Sequence, residues 1–84
     1  MNADIESAVS RYIAEQVLKQ PGRTIAPEEK LISSGLIDSF HLVDLSLFVE
    51  DTFGVHLDDT ELNAQTFDTL AELAGLIRSR RAAQ

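Results

Sequence analysis

The chain has 84 residues, 44% hydrophobic and 25% charged, with no cysteine and a formal net charge of −7. A chain of this length buries only about 60–65% of its unfolded surface on folding, which suits one domain over residues 1–84 but leaves no room for an enclosed active site. The lack of cysteine excludes disulfides, a thiolate nucleophile and a cysteine metal site; the lack of an apolar run of about 20 residues excludes a membrane span; and the negative charge argues against nucleic acid and anionic membranes.

The polar, acidic start Met1-Asn2-Ala3-Asp4 is not a secretory signal, and a cytoplasmic location is expected. Ile5, Ala8, Val9, Tyr12, Ile13 and Val17 recur at helical spacing, with Asp4 as N-cap and Pro21-Gly22 as the stop. This predicts a first helix over residues 4–19. Residues 20–38 hold two prolines, two glycines and the polar cluster Glu28-Glu29-Lys30, and so read as a long loop pinned to the core by Ile25, Leu31 and Ile32. Loops longer than about 12–15 residues are uncommon in compact domains and are often functional. This one delivers the chain to Ser39.

From Ser39 to Phe53 nothing breaks a helix, and Gly54 is the residue type favoured just past a helix end. A turn of about 100° per residue groups Leu42, Leu45, Ser46, Val49 and Phe53 on a core face. The opposite side carries Phe40, Asp44, Leu47 and Asp51, flanked by Val43 and Phe48. Apolar groups set among carboxylates suit a transient docking surface, unless the long loop or a neighbouring helix covers Phe40 or Leu47. Val55-His56-Leu57 is an apolar connector, and 58–62 can form one helical turn with acids at its favourable end. Thr69 and Glu72 have capping-box spacing, and Leu70, Leu73, Ala74 and Ile77 form the stripe of a last helix over residues 69–80, with Arg78, Arg80 and Arg81 at its negative end. Short strands at Ile25 or Val55 are conceivable, but no hairpin signal or strand alternation supports a sheet.

Between Leu31 and Ile77 there is no Lys or Arg, whereas nine of the fourteen acids lie there: Asp38, Asp44, Glu50, Asp51, Asp58, Asp59, Glu61, Asp68 and Glu72. Such a field favours basic protein surfaces as partners, although a solvated acidic face would show the same charge. Catalysis has little support. His41 is two residues from Ser39, and residues i and i+2 on a helix do not face each other, so it is badly placed as a base. His41, His56, Asp58 and Asp59 fit no metal-ligand spacing, the 58–61 cluster is no calcium loop, and no glycine loop for phosphate is present. The remaining chemistry lies at Ser39, whose hydroxyl at the positive end of a helix would welcome a phosphodiester; simple capping by Ser39 or Asp38 is the plainer alternative.

Asp38-Ser39 at the start of the second helix and Phe53-Gly54 at its end, at this spacing, resemble the acyl carrier protein family and its peptidyl carrier relatives over nearly the whole chain. The resemblance implies an all-α fold: a small four-helix bundle of three main helices plus one short helix, with a long loop between helices 1 and 2. It implies a non-enzymatic carrier with 4′-phosphopantetheine, taken from coenzyme A, on Ser39, and Asp38 recognised by the phosphopantetheinyl transferase. Phe40, Asp44, Leu47, Glu50 and Asp51 would then face partners: an acyl- or aminoacyl-loading enzyme and downstream synthase or modifying enzymes with basic docking patches. The carrier itself would be a monomer.

Phe40 departs from the Leu or Met that often follows the serine, and the double glycine common in peptidyl carriers of modular synthetases is missing. Ser33-Ser34-Gly35-Leu36-Ile37-Asp38-Ser39 is similar to discrete carriers of amino acids or unusual acyl units, D-alanyl carriers included, and to stand-alone biosynthetic acyl carriers. The primary fatty-acid carrier is therefore a less comfortable match and the cargo stays open, with secondary-metabolite biosynthesis of polyketides or nonribosomal peptides as the expected setting. The reading from a different class is an unmodified acidic helical module that simply docks on a partner.

Overall fold

The computed structural model describes the backbone of residues 2–83 and the side chains of residues 4–81, so the ends of the expected 1–84 domain, Met1 and Gln84, lie outside the described residues. The chain is all-helical: α1 (Asn2–Tyr12) continues into a π-helical turn (Ile13–Val17), followed by α2 (Ser39–Phe53), a 3-10 turn (Asp59–Glu61) and α3 (Leu70–Ala83). The short helix expected after Gly54 is thus a single 3-10 turn rather than a fourth α-helix. Among the described residues there is no strand, only an isolated antiparallel bridge between Lys30 and Thr69.

The first helix differs from its expectation at both ends. It starts at Asn2, so Asp4 is not the N-cap but lies in the first turn, where its carboxylate complements the helix dipole. At the other end the coil widens, with Leu18 N–H donating to the Ile13 carbonyl at 2.9 Å and Gln20 N–H to that of Ala14 at 2.7 Å. Lys19, at φ 57°, then turns the chain away before Pro21-Gly22 is reached.

One apolar core joins the elements. Ile5, Val9 and Ile13 from the first helix meet Leu42, Leu45 and Val49 from α2 and Leu70, Leu73 and Ile77 from α3. The irregular segments contribute Ile25, Leu31, Ile37, Val55, Leu57 and Phe67, all buried, so the connections are fastened to the bundle. Tyr12 stacks on Phe48 with ring centroids 4.3 Å apart, and Phe48 meets Phe53 edge-on at 6.2 Å. Phe48 therefore does not flank an exposed face as the helical projection suggests. It leans toward the first helix and is half-buried.

Candidate functional site at the start of α2

Asp38 and Gly54 set the limits of α2. Asp38 has extended backbone (φ −89°, ψ 177°), and its carboxylate accepts the N–H of His41 at 2.9 Å, while its carbonyl accepts that of Leu42 at 3.0 Å. Gly54 closes the other end in the left-handed region, φ 71°, donating its N–H to the Glu50 carbonyl. Of the two candidate caps, the side chain that caps is Asp38. Ser39 is consequently the first helical residue and is exposed, with its hydroxyl not committed to the cap.

The His41 ring also contributes, with Nδ1 lying 2.8 Å from Asp38 Oδ1. Together the main-chain N–H of His41 and then its ring hold the Asp38 carboxyl below the usual carboxylate range. His41 is therefore a partner of Asp38 rather than a base for Ser39. Sequence reasoning missed this pairing, although the i, i+3 spacing of the two residues could have signalled it.

The surroundings of Ser39 are open. Asp38 and Phe40 on either side are exposed, as are Ser33, Ser34 and Gly35 in the preceding loop, and a Cβ built on Gly35 would meet nothing within 4 Å. An exposed residue with a hydroxyl at the positive end of a helix fits a covalently attached phosphodiester arm, which needs access rather than a closed pocket.

Along α2 the expected outer face is uncovered: Phe40 is 82% exposed, Leu47 58% and Val43 46%, so neither the long loop nor a neighbouring helix shields them. Asp44, Glu50 and Asp51 are exposed with them. The acidic stretch is not uniformly available, however. Glu61 pairs with Arg80, which also donates to the His56 carbonyl, and Asp68 is buried and hydrogen-bonded to the loop before Ser39. No helix among the described residues is long and apolar enough to cross a membrane.

Comparison with protein families places residues 11–77 in the phosphopantetheine attachment site family. The match covers most of the chain, and the protein belongs to that family, whose members bind a 4′-phosphopantetheine prosthetic group. No curated protein and no solved structure matched the chain.

Proposed function

We propose that this protein is a discrete carrier, a single domain whose 4′-phosphopantetheine arm is attached to Ser39. The observation that carries the assignment is the exposed Ser39 hydroxyl at the first position of α2, left free because Asp38 caps the helix, in a chain of the phosphopantetheine attachment family. When bound, the arm supplies a terminal thiol that holds acyl or aminoacyl cargo as a thioester. Ser39 anchors it, and the positive end of α2 favours the phosphodiester charge. Asp38 is the feature that a phosphopantetheinyl transferase recognises beside the serine.

The chain contributes no catalysis of its own. Phe40, Asp44, Leu47, Glu50 and Asp51 form the docking face for a loading enzyme and for downstream synthase or modifying enzymes with basic patches. Tethering raises the effective concentration of cargo at each partner, while charge-guided, weak docking lets the carrier leave again. The protein works as a cytoplasmic monomer, the 3-10 turn after α2 taking the part of the short fourth helix in a small bundle. The likeness of residues 33–39 to discrete carriers favours a stand-alone carrier, with polyketide or nonribosomal peptide biosynthesis as the proposed pathway.

Coexpression with a broad-specificity phosphopantetheinyl transferase, followed by intact-mass measurement, tests the assignment. Wild type should gain the mass of one phosphopantetheine and Ser39→Ala none. Equal gain by both, or no gain by wild type, would overturn it.

A further inference from the structure

Asp68 is a buried carboxylate with no part in attachment or docking, yet all its hydrogen bonds from outside its own segment lead to the loop before Ser39. Oδ1 accepts the N–H groups of Ile32 and Ser33, each at 2.9 Å, and Oδ2 accepts the Ser33 hydroxyl at 2.5 Å. Its carbonyl accepts the Leu31 N–H at 2.6 Å. The other end of the residue is fixed to α3, since its own N–H donates to Glu72 Oε1 at 2.8 Å. A buried charge is costly unless its lone pairs are filled, and here the loop fills them in one register only.

From that anchor the loop closes on itself. Ile37 N–H donates to the Leu31 carbonyl at 2.9 Å, and Gly35, at φ 80°, donates to Ile32 at 3.0 Å. Leu31 and Ile37, the two ends of the closure, are both buried. Only Asp38 then separates Ile37 from Ser39. The position of the serine is thus fixed from two sides, by the α2 cap after the loop and by Asp68 before it.

We infer that Asp68 is a positioning residue for the attachment site: through the closed loop 31–37 it holds Ser39 in the arrangement that the modifying transferase docks on. This rests on the reading of Ser39 as the attachment residue. Without the anchor the loop samples other arrangements. If only a fraction of carrier molecules is then competent to dock, the apparent affinity falls by that fraction, while the chemistry of the bound complex is unchanged.

The test measures loading of Asp68→Ala, Asp68→Asn, Ser33→Ala and wild type by a broad-specificity transferase, with carrier and coenzyme A varied separately, alongside amide hydrogen exchange. Glu61→Gln, which weakens the distant pair with Arg80, is the comparator for a general loss of stability. Asp68→Ala should raise the KM for the carrier about 10-fold, as a competent fraction near one tenth requires, with kcat and the KM for coenzyme A nearly constant. The Ile32, Ser33 and Ile37 amides should exchange faster, and Glu61→Gln should leave the carrier KM unchanged. Asp68→Asn and Ser33→Ala keep part of the hydrogen-bond set and should fall between; they carry the test if Asp68→Ala does not fold.

An unchanged carrier KM in the folded Asp68 variants overturns the inference, as does an equal rise in Glu61→Gln. Loading of wild type but not Ser39→Ala establishes the attachment residue separately, so failure of one reading is distinguishable from failure of the other.

Discussion

The Asp38 carboxylate receives His41 twice, through the main-chain N–H at 2.9 Å and beside the ring Nδ1 at 2.8 Å, both on Oδ1. The residue itself is exposed, next to Ser39. Capping uses a single acceptor oxygen, so it can be separated from the recognition by the transferase proposed for Asp38. Asn caps helices about as well as Asp. Asp38→Asn should keep the circular dichroism and melting temperature near wild type yet slow phosphopantetheine loading, whereas Asp38→Ala should lower both. Loading of Asp38→Asn at the wild-type rate would reduce Asp38 to a cap.

Three carboxyls are held below their ordinary range, which makes stability depend on acid. The causes are the His41 N–H for Asp38, the Arg80 guanidinium for Glu61, at about 2, and the Ser33 hydroxyl for Asp68. A carboxyl whose folded value lies below its unfolded one stabilises the fold above the unfolded value, about 4, and loses that contribution as pH falls through the folded value. Stability should thus fall as pH is lowered from about 4, with the Glu61 contribution persisting to about pH 2. Denaturant midpoints measured from pH 7 to pH 2 should show Glu61→Gln below wild type at neutral pH and converging with it in acid. Parallel curves would show that the Arg80 pair adds nothing.

The parts legible in the sequence were those set by local rules. Asp38 and Gly54 bound α2 through a cap and a left-handed turn, and the Thr69–Glu72 capping box is present, each main-chain N–H meeting the other side chain at 3.1 Å. What escaped depends on contacts distant in sequence or on a local departure from 3.6-residue geometry. Asp68 looked like one more acid in a solvated field because its partners lie 35 and 36 residues away. Phe48 looked like an outer residue because its partner Tyr12 sits on another helix. The π-helical turn ended the first helix ahead of the Pro-Gly signal, with Lys19 rather than a glycine adopting positive φ.

The Tyr12–Phe48 stack joins the first helix to the C-terminal half of α2, with its ring planes 16° from parallel. Both rings are half-buried, so Phe48→Ala loses part of a core side chain together with the stacking term, about 2–4 kcal/mol in all. Urea unfolding should read this as a lower midpoint with a similar slope. The start of α2 is held independently by Asp38, and loading at Ser39 should survive in the folded variant. A loss of loading equal to that of Ser39→Ala would mean that the two ends of α2 are not independent.

Phe40, Val43 and Leu47 expose apolar surface that contributes little to the core, and Asp44 and Asp51 stand beside them. Truncating Phe40 or Leu47 to Ala should change stability by no more than about 0.5 kcal/mol, as expected of surface positions. Partner turnover should respond differently. Reversing charge with Asp44→Lys or Asp51→Lys places like charges against a basic patch, which should raise the KM for loaded carrier several-fold at low salt, with less effect as salt screens the approach. Phe40→Ala and Leu47→Ala should weaken the same step without that salt dependence, because the lost contact is apolar. Near-unchanged kinetics at low salt in the Lys variants would remove the docking face. Should partner binding instead survive Ser39→Ala and depletion of coenzyme A but fail in the Asp44 and Leu47 double variant, α2 would be a docking helix in its own right, and the arm would be dispensable to the function.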